Sequence, residues 1–328
     1  MGAESLEIVA VLSDGAASPP PRDTVPGAAR RPIRSVLLIV NPASRRAARL
    51  SARTESALRA RGVSVDLRLT ERPGHALEIA REHGLRVDAV FSLGGDGTAM
   101  EIAGALSGSN VPLGVLAGGT GNLLARALGI PLNVERAVGA LLGGRSLVCD
   151  LGRIAAGGHR FAVAAGVGID ARMVAFTPAW LKRRLGVLAY WLTASRAAFG
   201  SVLTRGGRFR VRLTVDGQVV EREAVMAMVA NFGAVLDDLI TFGPGIRYDD
   251  GVLDAVVYSP RTLWDAVVIM WRLLRKDFRS SPHVLYLSGR HFRIETEPPQ
   301  AVQADGELLG TIPFEVTAEP HAALLMIP

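Results

Sequence analysis

The chain has 328 residues, 49% of them hydrophobic, and 37 Lys and Arg against 31 Asp and Glu give it a formal charge of +6. That length and balance exclude a disordered chain and allow two domains with sizeable cores, while the basic surplus favours anionic partners such as nucleotide phosphates or acidic lipids. The lone Cys149 excludes an internal disulfide, no apolar run reaches the ~18 residues that span a bilayer, and 5% aromatics without a stacking or helix-turn-helix pattern argue against nucleic acid.

Met1–Leu12 contains two Glu and no basic cluster, so no signal peptide is expected and the chain reads as cytoplasmic, visiting a membrane surface peripherally at most. Residues 1–34, with Pro19–Pro21 and Pro26-Gly27, read as a disordered tail. From Ser35 the texture alternates. A strand at Ser35–Val40 meets the polar turn Asn41–Ser44 and an amphipathic helix over Ala47–Ala60. A strand at Val63–Leu69 ends in Thr70, a helix follows over Gly74–His83, and an apolar strand runs from Val87 to Leu93. This order predicts a doubly wound parallel sheet for an α/β domain over residues 35–150.

The strand ending at Leu93 runs into Gly94, Gly95, Asp96, Gly97 and Thr98, and then into a helix over Ala99–Leu106. Closely spaced glycines let several N–H groups converge on phosphate at a helix N-terminus, and a carboxylate beside them points to magnesium-nucleotide chemistry. An ordinary βα turn, capped by a box between Thr98 and Glu101, explains the same residues. A second unit tips the balance: strand Val111–Ala117, turn Gly118–Asn122 and a helix stopping at Gly129 repeat the plan, and ligands of parallel sheets bind beyond the carboxyl ends of the strands.

After Arg153 short strands separated by Gly, Pro or Asp-Gly turns predict an antiparallel β-rich, sandwich-like domain over residues 151–328. They are read at His159–Gly166, Arg208–Asp216, Val220–Asn231, Val252–Ser259, Val284–Ser288, His291–Thr296, Val302–Ala304 and Pro313–Ala318. Asp216-Gly217 and Asp305-Gly306 read as hairpin turns. The chain ends at Pro328, soon after the last of these strands, which leaves little sequence to return to the first domain.

The segments Asn41–Ser44, Gly94–Thr98, Gly119–Asn122, Asp150–Gly152, Ala165–Asp170, Asp249–Asp254 and Asp305–Glu307, in that order, resemble the bacterial diacylglycerol kinase and lipid kinase family, kin to sphingosine and ceramide kinases. The resemblance implies an ATP-dependent lipid kinase with the nucleotide in the interdomain cleft. It implies nucleotide contacts from Asn41, Pro42, Ala43, Ser44, Arg45, Thr70, Gly94, Gly95, Asp96, Gly97, Thr98, Ala99, Met100, Gly119, Thr120 and Asn122. It further implies catalytic roles for Glu307, as general base, and Asp96. A Mg2+ site would be formed by Asp250 with the backbone carbonyls of Arg247 and Val252. Diacylglycerol, phosphorylated to phosphatidic acid at a membrane surface, is the acceptor that the resemblance favours.

The chain departs from the family pattern at Arg45-Arg46, where many members have Gly, and at Leu123, where many carry Asp. Trp180–Trp191 and Leu263–Phe278 combine aromatics, basic residues and apolar stretches, as an interfacial helix on anionic lipid does and as an ordinary amphipathic cover does. Two other functions stay open: a nicotinamide-nucleotide kinase, which shares the first glycine turn, and a non-catalytic nucleotide- or lipid-binding module, suggested by Arg45 and Leu123. A homodimer is compatible with the sequence, which carries no signature of one.

Overall fold

The computed structural model describes residues 32–168, 207–235, 240–241, 243, 245–279 and 281–328. Of the tail expected over residues 1–34, residues 1–31 lie outside the described residues, as does the stretch Trp180–Trp191.

The first domain alternates β1 (Ser35–Val40), α1 (Arg45–Arg59), β2 (Ser64–Leu69), α2 (His75–His83), β3 (Ala89–Gly94), α3 (Asp96–Leu106), β4 (Leu113–Ala117), α4 (Leu123–Ala127) and α5 (Val134–Gly143). The four strands pair in parallel in the order β2-β1-β3-β4. Helices cover both faces of such a sheet, which is why β1 and β3 read as continuous apolar runs and are buried along their length. The order reverses direction between β1 and β3, and their carboxyl ends flank the crevice where parallel sheets take ligands.

The second domain follows β5 (Arg145–Ile154) with β6 (Arg160–Phe161), β7 (Ala164–Gly168), β8 (Phe209–Val215), β9 (Gln218–Ala224), β10 (Met226–Ala230), β11 (Ala234–Val235), β12 (Ile240–Thr241) and β13 (Leu253–Tyr258). Then come α6 (Leu263–Leu274), β14 (Val284–Gly289), β15 (His291–Glu297), β16 (Val302–Ala304), β17 (Glu307–Gly310) and β18 (Phe314–Ile327). An antiparallel six-stranded sheet, β14-β13-β10-β7-β16-β17, faces the β8-β15-β18 part of a ten-stranded sheet. Strand alternation decides what each face holds. Ala227 and Val229 of β10 and Leu253, Ala255 and Val257 of β13 enter the sandwich core with Val211, Leu213, Phe292 and Ile294. Their neighbours Met228, Val256 and Tyr258 belong instead to a cluster that includes Ile269 of α6.

Three expectations are corrected. The last strand does not stop at Ala318: it bulges between Glu319 and Ala323 and runs on to Ile327, pairing antiparallel with β5 and, at Leu325, parallel with Leu113 of β4. The chain's end therefore does return to the first domain, as a strand of its sheet, and β5, which the strand reading had not marked out, is the partner that carries it there. The strand expected over Val220–Asn231 is two, because the chain crosses at Val225 from β9 in one sheet to β10 in the other. No Gly or Pro marks that crossing, so the run from Val220 to Asn231 reads as one strand. Finally, Thr98 and Glu101 form no capping box: Gly95 is the N-cap residue of α3, and Glu101 accepts from Gly74 N (2.9 Å) and Ala76 N (3.2 Å), capping α2 instead.

Asp216 and Gly217, and likewise Asp305 and Gly306, take positive φ in two-residue hairpin turns, as read from sequence. Cys149 is buried, and burial pushes its thiol well above the usual range. Leu325 is fully buried in the shared strand. Leu325→Ala is expected to lower the unfolding free energy by about 2–5 kcal/mol, measured by urea denaturation; a loss near zero would mean that β18 does not pack into the first domain's sheet.

Candidate functional site

Three loops meet at the carboxyl ends of β1, β3 and β4. Asn41 opens the first: its N–H donates to Leu93 O (3.0 Å), its Oδ1 accepts from Ala43 N (3.1 Å) and its Nδ2 donates to Thr98 Oγ1 (3.1 Å). Ser44 caps α1, and its hydroxyl donates to the carbonyl of Gly118. Gly118 N donates in turn to Gly94 O (3.0 Å). The first loop is thereby tied to both glycine turns.

Between the two turns the backbones touch. A Cβ on Gly119 would lie 2.6 Å from Gly95 Cα, and one on Gly118 would lie 2.8 Å from Gly94 N, so the approach requires residues without side chains. Asn122 closes the second turn on itself, its Oδ1 accepting from Gly119 N (2.8 Å) and its Nδ2 donating to Gly119 O (3.0 Å). Thr120 stays exposed at the rim.

Asp96 is the first residue of α3, and its buried carboxylate points at the second turn. Oδ2 accepts from Leu123 N and Oδ1 from Leu124 N, each at 3.0 Å, so Asp96 satisfies the first N–H groups of α4. Burial pushes this carboxyl above its ordinary range, the two backbone donors pull it down, and the charge of Glu307 pushes it further up. The sequence had offered Asp96 as a cleft carboxylate; its hydrogen bonds make it the brace that fixes the second glycine turn relative to the first.

Glu307 comes from the other domain. It opens β17 after the Asp305-Gly306 turn, and its carboxylate lies so close to Gly97 that a Cβ there would fall 2.6 Å from Oε1 and 2.7 Å from Oε2. An exposed carboxylate thus sits at the first turn of α3. Leu123 packs under the same hairpin, its Cδ1 3.4 Å from where a Gly306 Cβ would stand.

The sequence marks Asp305 as a turn residue and as part of the Asp305–Glu307 segment, with no role of its own. Its fully buried carboxylate accepts from Ala162 N (2.8 Å), Val163 N (2.9 Å) and Ala164 N (3.0 Å), pinning the hairpin that carries Glu307 to the start of β7. Burial, with the charge of Asp96 added, outweighs those donors and pushes the carboxyl from its ordinary 3.8 up to about 7. Asp150 was likewise read only as part of a motif. It holds Gly251 N and His321 N, each at 2.6 Å, bracketing the acidic loop against the bulge of β18. An Asp before Gly, as at Asp305, looks like turn chemistry whatever else it does, and Asp150 stands inside a strand before Leu151, where nothing local announces two distant backbone partners.

The other expected site residues divide. Thr70, Ala99 and Met100 have their side chains buried, the last two in the core; Pro42, Ala43 and Arg45 are exposed around the first loop. Asp250 lies apart in the acidic loop, where its Oδ1 accepts from Val252 N (3.2 Å) while Arg247 is engaged with Asp249 at 3.0 Å. Burial raises the Asp250 carboxyl, and the charges of Asp150 and Asp249 add to that. A single oriented carboxylate in a tight turn is compatible with a Mg2+ that keeps most of its waters. Among the described residues no three His, Cys, Asp or Glu side chains gather into a fuller metal site.

Two outcomes test this geometry. Gly97→Ala is expected to turn the exposed Glu307 carboxylate away from α3 with a stability change within about 1 kcal/mol, read by thermal unfolding together with a crystal structure of the variant; a Glu307 carboxylate that keeps its place would refute the contact. Because the folded pKa of Asp305 lies above the unfolded one, the folded state holds the extra proton, so its contribution to stability is complete below 3.8 and fades as pH rises towards about 7. The melting temperature should fall across that window, and Asp305→Asn should flatten the slope.

Comparison with known proteins agrees with this architecture. A family model described as "Diacylglycerol kinase catalytic domain" matches residues 35–154, and one described as "YegS C-terminal NAD kinase beta sandwich-like domain" matches residues 162–327. A curated Bacillus subtilis protein named diacylglycerol kinase is 28% identical over 258 residues, covering 77% of this chain and 82% of that one. An uncharacterized Synechocystis protein is 31% identical over 73% of this chain, which spans only 54% of that relative's length. A solved Bacillus anthracis structure, described as a candidate diacylglycerol kinase, superposes with a TM-score of 0.71 at 26% identity, covering 91% of this chain and 99% of that one. With both domains matched in order and the fold shared over 91% of the chain, it belongs to the diacylglycerol kinase family of lipid kinases.

Proposed function

We propose that this protein transfers the γ-phosphate of ATP to a lipid hydroxyl, with diacylglycerol as acceptor and phosphatidic acid as product. The observation that carries the reading is the Glu307 carboxylate, brought from the second domain to the first turn of α3 beside the glycine turns. A helix N-terminus offers N–H groups and a partial positive charge to phosphate oxygens. A carboxylate is itself attracted to a helix N-terminus but is repelled by a bound phosphate, so one held beside a phosphate site calls for a part in the reaction, and phosphorylating an alcohol requires a positioned proton acceptor. In this reading Glu307 takes the hydroxyl proton while the acceptor oxygen forms its bond to the γ-phosphorus. The bond from that phosphorus to the bridging oxygen breaks, and ADP leaves with the electron pair.

The N–H groups at the start of α3, the hydroxyls of Thr98 and Thr120 and the amide of Asn41 orient the phosphates. Arg45, exposed at the start of α1, supplies a cation to the same mouth where many family members have Gly. Asp250 with the backbone carbonyls of Arg247 and Val252 would hold a Mg2+ in the acidic loop, where the ion when bound would crosslink that loop. Asp96 acts at one remove, fixing the second turn through Leu123 and Leu124. The Glu307 contact also favours catalysis over a nucleotide-binding module without turnover.

Transfer of radiolabel from the γ-phosphate of ATP to diacylglycerol in the presence of Mg2+ tests the reading. Glu307→Gln is expected to lower turnover by roughly a hundredfold to ten-thousandfold with ATP affinity little changed. Asp96→Asn should weaken ATP binding as well as turnover, because the second turn loses its anchor. ATP binding with no labelled lipid in the parent protein, or full turnover in Glu307→Gln, would overturn it.

A further inference from the structure

We propose that the outward face of α6 is the surface on which this protein rests against an anionic lipid bilayer, an inference that builds on the lipid-kinase reading by naming where the enzyme meets its substrate's phase. Three large apolar side chains on this helix face solvent at i, i+3 and i+7: Trp264 is 72% exposed, Val267 40% and Trp271 56%. That spacing places them on one face, away from Ile269, which is buried. Tryptophan is expensive to leave in water, and a contiguous stripe of this kind marks an interaction surface.

The charges around the stripe say what covers it. Arg208 and Arg261 stand at its N-terminal end, where the Arg208 guanidinium donates to the carbonyl of Arg261. At the other end the Arg275 guanidinium lies 4.5 Å from the centre of the Trp271 ring, and exposed Lys276 follows it. The neighbouring carboxylates are engaged elsewhere. Asp265 accepts from the N–H groups of Arg261 and Thr262, each at 2.8 Å, to cap the helix, and Asp277 pairs with Arg279 (2.9 Å) and Arg272 (3.6 Å). Among the described residues no carboxylate pairs with Arg208, Arg261, Arg275 or Lys276.

An apolar stripe with unneutralised cations at both ends suits a helix lying flat at the headgroup boundary, where tryptophan enters the acyl edge and arginine and lysine meet lipid phosphates. Among the described residues no helix is long and apolar enough to cross a membrane, so lying on the surface is the mode α6 allows. The capping box between Thr262 and Asp265 fixes the start of the helix before any lipid arrives, so little ordering is left for binding to impose.

Cosedimentation of the full chain with phosphatidylcholine vesicles, with and without phosphatidylglycerol, tests this. The parent should bind the mixed vesicles and leave the neutral ones, and the double variant Trp264→Ala, Trp271→Ala should bind on the order of tenfold less. Its phosphorylation of a short-chain, water-soluble diacylglycerol should be unchanged. Arg275→Ala with Lys276→Ala should cost about fivefold per charge. The chain has four tryptophans, so replacing Trp180 and Trp191 with Phe leaves those of α6 as the only reporters, and brominated lipid should quench them. Undiminished vesicle binding by the Trp264, Trp271 variant would overturn the inference. So would a dimer, formed without vesicles by the parent and absent in the variant, if the parent binds no lipid. Loss of vesicle binding in the variant when even the parent fails to phosphorylate the soluble lipid would leave the surface standing and retire the kinase reading instead.

Discussion

The contact between two backbones, at Gly95 and Gly119, sets the distances at the mouth of the first sheet. With no Cβ at Gly118 or Gly119, the turns after β3 and β4 lie against each other, and Gly118 N reaches Gly94 O. Only at that separation can Asp96 on α3 hold the N–H groups that begin α4. The same freedom recurs once more at Gly97, where the missing side chain leaves room for a carboxylate from another domain. Three absences of a methyl group thus shape a cavity mouth lined with backbone donors and opposed by one acid, an arrangement suited to moving a phosphoryl group while a proton is taken up.

What aims that acid is the way the second domain is tied to the first. β18 serves both: its first half lies between β15 and β5 in the sandwich, and its last residues reach β4. Arg160 and Glu319, joined at 2.6 Å, add a half-buried ion pair at the same junction, with the Arg160 guanidinium against Gly104 of α3. Asp305 then transmits this placement to Glu307 by gripping three successive N–H groups at the start of β7. A domain anchored by a shared strand positions a side chain more tightly than one hung on a linker.

Much of the first domain was legible, because its strands and helices differ in apolar period and their boundaries carry Gly, Pro or Asn. The glycine turns were visible as turns with two available meanings. What decides between those meanings is the partner, and Glu307 lies far along the chain from Gly97, so no local pattern links them. The second domain was legible as strands but not as sheets: β9 and β10 read as one strand, yet they belong to opposite layers. The return of β18 was hidden because Pro320 and His321, which shape its bulge, look like an ending. Glu101 shows how an apparent local rule yields to a tertiary one: it stands where a capping box would use it and caps a different helix.

The most direct test of the account is a crystal structure of the protein with Mg2+ and a non-hydrolysable ATP analogue. The account predicts the terminal phosphate at the N-terminus of α3, between the two glycine turns, with the Glu307 carboxylate facing it across the space for an acceptor hydroxyl. A nucleotide bound elsewhere, or a Glu307 side chain turned away from an occupied glycine turn, would contradict it.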